Sequence, residues 1–378
     1  MDASGPTSIV VHFERLSDPR VVGRCEHKLI DVIVIAILAV ICGADGWVDV
    51  ALFGAAQQTW LGTFLELPNG VPKHDTFGRI FSALDPKSFA DCFIDWVSSL
   101  SQLSEGEIIA IDGKTLRRSF SKTLGKGAIH MVSAWAASNG VILGQRKVDD
   151  KSNEITAIPK LLELLDLNGA TVTIDAMGTQ TAIADMIVSR GGSYVLALKG
   201  NQQSLHEDVK LAFDGATQEI LTTRCNASVE TLDGDHGRVE TRTHWTIGID
   251  QLGLTTDWPG LKAIGVADRT RDISGKVENE RQYFLLSDMM SALDFSRAIR
   301  AHWSIENNLH WALDVSFRED ESRVRTGHAA ENLSSLRRIA LGLLKKVVPK
   351  QGGGIAARRK LAGWDHDFLL KVLKGDAV

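Results

Sequence analysis

Ile108-Ile109-Ala110-Ile111-Asp112-Gly113-Lys114 is the stretch on which the fold turns. Four apolar residues in a row, three of them β-branched, read as a short strand buried on both faces. Asp112 stands at its carboxyl end. Thr171-Val172-Thr173-Ile174-Asp175 repeats the arrangement, and Met177-Gly178 then lead into a helical segment. Open α/β sheets form their ligand crevice outside the carboxyl ends of the strands. Two aspartates at two such ends are therefore expected to converge on one site.

Working outward, Ile129 to Ala137 and Val141 to Lys147 read as strands joined by Ser138-Asn139-Gly140, a strong hairpin signal. Ile155 to Leu165 and Gln180 to Arg190 read as helices, and Tyr194 to Leu198 as a strand. The order β-β-β-α-β-α-β describes an α/β fold, a mixed sheet with flanking helices. From Lys199 to about Arg281 the pattern becomes β-rich, with Val239 to Ile249 alternating like an exposed antiparallel strand. Ala263 to Val266 and Tyr283 to Leu286 read as further strands. Helix returns from Met290 through Leu313 and from Ala329 to Val348. Upstream, residues 1–103 read as an all-helical domain. Leu29 to Cys42 is its apolar centre, Asp75 caps a later helix, and Phe89 to Leu103 forms the last. The expected division is 1–103 helical, 104–350 mixed α/β with its insertion at about 199–281, and 351–378 a basic tail.

Composition narrows the function classes. The chain has 378 residues, 24% charged, with a formal net charge of −5, which excludes a surface coated in positive charge. The four cysteines form no CxxC pair, so neither a zinc site nor a disulfide framework is expected, and reduced thiols in a cytoplasm are the default. The most apolar run, Val32 to Ala44, is 13 residues long, short of the roughly 20 needed to span a bilayer. There is no GxxxxGK[ST] and no GxGxxG after a strand, which argues against a nucleotide-binding enzyme.

A third acid, Glu306, lies in Trp303-Ser304-Ile305-Glu306-Asn307-Asn308-Leu309-His310-Trp311, with Trp303, Leu309 and Leu313 read as an apolar stripe around it. A carboxylate among buried neighbours costs free energy unless it is paired or binds a metal. Three converging carboxylates suit Mg²⁺ or Mn²⁺, and two such ions can stabilise the attacking and leaving oxygens of a displacement at phosphorus.

The residues at this point resemble a family. Asp112-Gly113-Lys114 after a strand, Thr173-Ile174-Asp175-Ala176-Met177-Gly178, Tyr194 through Gln202 and His302-Trp303-Ser304-Ile305-Glu306 resemble the DDE transposases of bacterial insertion sequences. The branch of H-repeat-associated proteins is the nearest match. His74-Asp75-Thr76-Phe77-Gly78-Arg79 in the helical leader and Gly363-Trp364-Asp365 near the end belong to the same resemblance. It implies an RNase H-like fold, a β-rich insertion between the second Asp and the Glu, and metal-dependent cleavage and strand transfer of DNA at element ends. It assigns catalysis and metal binding to Asp112, Asp175 and Glu306, with two Mg²⁺ or Mn²⁺ ions. It also implies terminal inverted repeats and target DNA as partners, and a homodimer or larger synaptic complex. Relatives often carry Arg four residues before the Glu and Lys seven after it; here those positions are His302 and Leu313. That departure leaves open a domesticated or inactive DNA-binding protein, and a nuclease without strand transfer is a further alternative.

Basic and polar residues near the acids fit a DNA partner. Lys114, Arg117 and Arg118 follow Asp112, and Lys199, Asn201 and Gln202 follow the fifth strand. Arg238 lies in a charged strand, and Arg300 and His302 precede Glu306. Arg323 to Val378 holds 12 Lys and Arg against 4 Asp and Glu, a net of +8, so the first 322 residues carry −13. That asymmetry suggests a phosphate-facing tail region.

Overall fold

The computed structural model describes residues 6–21, 23–100, 106–120, 127–149, 152–214, 228–235, 238–273 and 276–374. The boundary expected at 103/104 and Cys225 lie outside them. The helices are α1 (Pro6–Phe13), α2 (Leu29–Ile41), α3 (Trp47–Ala56), α4 (His74–Ala83), α5 (Pro86–Leu100), α6 (Glu154–Leu162), α7 (Thr181–Ser189), α8 (Gln203–Asp214), α9 (Ala292–Ile305), α10 (Trp311–Phe317), α11 (Ala329–Lys346), α12 (Ile355–Trp364) and α13 (His366–Lys374), besides shorter turns. The strands are β1 (Ile108–Leu116), β2 (Ile129–Ala136), β3 (Val141–Lys147), β4 (Thr171–Ile174), β5 (Ser193–Leu198), β6 (Ser228–Asp235), β7 (Arg238–Gly248), β8 (Ala263–Ile273) and β9 (Lys276–Leu286).

The chain packs as two compact units, one of residues 1–103, 113–152 and 306–378, the other of 104–112 and 153–305. This division differs from the expected one. The N-terminal helices share a unit with the β2–β3 hairpin and the C-terminal helices, and β1 contributes to both.

In the second unit the strand order is β1-β4-β5-β9-β8-β7-β6. β1, β4 and β5 run parallel, and their apolar runs are buried on both faces as parallel strands require. The expected insertion is not a separate appendage: β9 pairs antiparallel with β5, and β8, β7 and β6 extend the same sheet. Helix α9 lies on this sheet through Phe295, Ala298 and Ile299, packed among Val195, Ala263, Ala267 and Phe284. Its approach needs Gly265, where a Cβ would stand 2.4 Å from the Phe295 ring.

In the first unit the order is β3-β2-β1, and Gly140 closes the hairpin with φ +63°, a value that Gly adopts without strain. The nine described strands form one mixed sheet flanked by helices, accompanied by the N-terminal helical region. Helix α2 is buried from Asp31 to Ile41, as its unbroken Ile, Val, Leu and Ala predict. Asp75 does not cap α4; the helix starts at His74 and Asp75 lies in its first turn. Helix α11 is tied to the end of α4 by buried Asn332, whose amide donates to the carbonyls of Phe81 (2.8 Å) and Leu84 (3.0 Å).

The basic C-terminal stretch is not a free tail. Residues 355–374 form α12 and α13, with Leu369, Val372 and Leu373 fully buried. Arg359 donates to the carbonyls of Val40 (3.0 Å) and Ala44 (3.1 Å) at and just beyond the end of α2. Arg338 is 0% exposed and pairs with Glu319 at 2.9 Å; Arg337 is 2% exposed. Lys345 lies over the Trp135 ring at 4.9 Å, and burial pushes its ammonium down to about 8. Much of the +8 excess therefore serves the interior. Charge read along the chain cannot distinguish a surface stripe from cations that fold onto carbonyls and carboxylates.

Buried His310 sits in the same unit. Burial, then Arg338, Lys114 and His130, push its imidazole down to about 3. The unfolded chain binds a proton here below its ordinary value and the folded chain does not, so stability falls as pH drops, by up to about 1.4 kcal/mol per pH unit. His310→Asn is expected to flatten the loss of stability between about pH 6 and pH 4; urea unfolding at several pH values checks it.

Candidate active site

The β1–β4 ladder pairs Ile108 with Thr171 and ends with Ile111 against Ile174. Asp112 and Asp175 are the next residue on each strand, so the ladder sets them at equivalent positions on neighbours about 4.8 Å apart. Both belong to the second unit. One detail differs from expectation: β1 does not stop at Ile111 but runs on to Leu116, so Asp112 lies within the strand where its pairing to β4 ends.

The loop after Asp175 is braced from several sides. The Asp175 carboxylate accepts from the Gly178 amide at 3.1 Å. Thr179 is fully buried, its hydroxyl 2.7 Å from the Ala197 carbonyl and 3.0 Å from that of Asp175. Gln202 donates to the Thr179 carbonyl at 3.0 Å, and Asn201 donates to the carbonyls of Ala176 and Thr179. Gly178 is required by space: a Cβ there would stand 2.3 Å from Ile174 Cγ2 and 2.7 Å from Ile158 Cδ1. The amides of Asn201 and Gln202, expected at DNA, are engaged on this loop and hold Asp175 in place.

His302 lies on α9, half-buried, with Nδ1 3.1 Å from the Thr173 hydroxyl. Burial lowers its pKa, and the nearby Asp175 carboxylate only partly offsets that. It is therefore a neutral hydrogen-bonding group at pH 7, at the position where relatives often carry Arg. Thr173 and Thr179, which orient His302 and the Asp175 loop, escaped the sequence reading. Threonine in or after a strand is ordinary, and only the tertiary neighbours give these hydroxyls a task.

Glu306 follows His302 by four residues, where α9 gives way to a π-helical turn, Glu306–His310. Such turns are frequent at functional sites. Glu306 and Trp303 are exposed while Leu309 and Leu313 are fully buried, so the apolar stripe expected around Glu306 does not form. Leu313 is a core residue.

The remaining basic residues separate. Lys114 and Arg117 lie on β1 and the turn after it, not on a helix. Lys114 is 9% exposed and its ammonium is held by Asp314 (2.8 Å) and Asp320 (3.4 Å), so it is an internal cation, not a solvent-facing one. Arg117 is exposed and pairs with Asp320 at 3.2 Å. Arg118, Lys199 and Arg300 are exposed. Arg238 starts β7, and its side chain lies outside the described residues.

The donor chemistry of Asp112 and Asp175, two hard carboxylates on adjacent strands, fits a divalent cation. Among the described residues no group of three or more His, Cys, Asp or Glu side chains is close enough to hold a metal ion. No helix among the described residues is long and apolar enough to cross a membrane.

Comparison with known proteins identifies the family. The Transposase DDE domain family matches residues 103–343, and the DDE_Tnp_1-associated family matches residues 10–97. The chain is 42% identical over 361 residues to "Putative transposase YncI" of Escherichia coli O157:H7, covering 94% of this chain and 92% of that protein. It is 38% identical over 378 residues to "H repeat-associated putative transposase YhhI" of Escherichia coli strain K12, covering 98% of each. Among solved structures, the piggyBac transposase synaptic complex with hairpin DNA overlays with a TM-score of 0.43 at 11% identity, covering 97% of this chain and 76% of that one. The 38–42% identities extend over nearly the full length of both proteins, and the chain belongs to the DDE transposases, in the H repeat-associated branch.

Proposed function

We propose that this transposase cuts and joins DNA at the ends of a bacterial insertion sequence, with Asp112, Asp175 and Glu306 as its catalytic carboxylates. The observation that carries the reading is the ladder that ends at Ile111 and Ile174 and sets Asp112 and Asp175 side by side. Asp112, Asp175 and Glu306 would hold Mg²⁺ or Mn²⁺ together with the DNA phosphates. When bound, the cation supplies charge neutralisation at the phosphate and a more acidic attacking water or 3′-hydroxyl. The chain's own contribution is placement. The Gly178 amide occupies one Asp175 oxygen and leaves the other for a ligand, while Thr179, Asn201 and Gln202 keep the loop from relaxing. Neutral His302 adds a hydrogen bond beside Asp175 without a competing positive charge. Exposed Lys199 and Arg300 would take DNA phosphates. Two or more copies would act together, each on one element end.

The test is a cleavage assay on end-labelled duplexes carrying the inverted repeats that flank a copy of the gene. Nicks at the element end that require Mg²⁺ or Mn²⁺, followed by strands joined to target DNA and no covalent protein–DNA product, are expected. Nicks without joining would replace the reading with a nuclease. Salt-sensitive binding without cleavage would replace it with a DNA-binding relative.

A further inference from the structure

The first unit carries a concentration of arginines that the catalytic reading does not use. A cleft of about 620 Å³ opens between the first turns of α4 and the segment that leads into α11, and Arg79, Arg323 and Arg325 line it. Its floor includes Trp47, stacked on Phe81 with ring centroids 4.8 Å apart, and exposed Val48. Asp75 is the one acid in the lining, and it faces His74 at 3.3 Å. Arg79 also lines a second cleft of about 450 Å³, together with Arg20, Arg24 and His27 and one acid, Glu26. Guanidinium groups therefore run from one cleft into the next.

Arg79 and Arg325 are oriented by neutral acceptors rather than by carboxylates. Arg79 donates to the Asp75 carbonyl (3.3 Å) and the Thr76 hydroxyl (3.3 Å). Arg325 donates to the Arg118 carbonyl (2.9 Å) and lies over the Phe120 ring at 5.5 Å. Among the described residues no carboxylate forms an ion pair with Arg24, Arg79, Arg323 or Arg325, whereas Arg20 is bound by Asp18. The walls are fixed as well: the His328 amide donates to the Ser82 carbonyl at 2.9 Å, and Gly327 (φ +53°) approaches so closely that a Cβ would stand 2.3 Å from that carbonyl oxygen.

We propose that this arginine-lined groove binds the sugar–phosphate backbone of duplex DNA, so that the helical leader and the segment before α11 together form an accessory DNA-docking surface. The proposal rests on the transposase reading for its partner and adds the place. Guanidinium groups, with Arg79 and Arg325 held by neutral acceptors, match phosphate oxygens, while apolar Trp47 and Val48 suit deoxyribose. A row of charges spread over two clefts suits repeating phosphates better than one small anion, and no glycine-rich phosphate loop lies there. This also gives a role to the His74–Arg79 motif and to the part of the C-terminal charge excess that does face outward.

The experiment is fluorescence anisotropy of the full chain on a labelled element-end duplex over a salt series. Wild type is compared with an Arg79→Ala/Arg323→Ala/Arg325→Ala variant, with Lys276→Ala as a remote control. Each lost phosphate contact removes about 0.9 from the slope of log K against log salt, so the triple variant is expected to lose about 2.7 and to bind on the order of 10²-fold more weakly at 0.1 M salt. Lys276→Ala is expected to leave both unchanged. Arg325 also braces the Arg118 turn. If circular dichroism shows the triple variant unfolded, Arg79→Ala/Arg323→Ala, both at exposed sites, is expected to lose about 1.8. Wild-type slope and affinity in a folded variant would overturn the groove while leaving the catalytic assignment intact. Wild-type protein that binds no DNA would overturn both.

Discussion

Asp175→Asn is expected to reduce cleavage of element-end DNA by about 10³-fold or more, equivalent to about 4 kcal/mol of transition-state stabilisation, with DNA affinity retained. The substitution isolates charge from structure. An asparagine carbonyl can still accept from the Gly178 amide, and the loop remains braced by Thr179, Asn201 and Gln202. What is lost is one hard anionic donor for a divalent cation. Asp112→Asn is expected to act alike, since Asp112 holds the equivalent position on the neighbouring strand. Initial rates on end-labelled duplexes, with anisotropy on the same DNA, check both. Full cleavage activity in either variant would sink the assignment of the acids.

Breaking the buried pair of Glu319 and Arg338 is the change with the largest expected effect on stability. Both side chains are fully buried, and the Ser334 hydroxyl donates to the same Glu319 oxygen at 2.9 Å. Burial pushes the Glu319 carboxyl up, but Arg338, then Arg337 and Lys114, outweigh that and hold it below the usual carboxylate range. Glu319→Leu leaves the Arg338 charge without its carboxylate in the interior, at a cost of about 3–5 kcal/mol. Adding Arg338→Met removes the stranded charge, so the double variant is expected to recover most of that loss. Urea unfolding of the two single variants and the double variant measures the cycle. A double variant no more stable than Glu319→Leu would mean that the surrounding hydrogen bonds, not the charge pair, dominate.

How much of this was legible beforehand follows from the range of each signal. The two β-branched runs ending in aspartate were readable because a parallel strand buried on both faces is continuously apolar, and the Asn139-Gly140 turn because few residues accept its backbone. Glu306 was readable as a motif residue, but its surroundings were not. Trp303 and Leu309 are six residues apart, about 240° round a regular α-helix, so they do not share a face: Trp303 is exposed and Leu309 buried. Lys114 read as a phosphate cation because it follows Asp112, yet its partners Asp314 and Asp320 lie some two hundred residues along the chain.

What is local is legible in the residues alone. They set the strand order of types, the buried centre at Leu29 to Ile41, the turns, the acids at strand ends and the motifs that mark the DDE family. Those follow from periodicity, backbone preference and residue chemistry over a few neighbours. Which charges are used inside and which remain for a ligand depends on partners that folding brings together. Folding turned Arg338, Arg359 and Lys114 inward, set Asn201 and Gln202 on the Asp175 loop, and left Arg79, Arg323 and Arg325 facing a cleft. The physical reason is that a charge in a sequence has no partner until folding supplies one, and desolvation then makes the partnered and unpartnered cases differ by several kcal/mol.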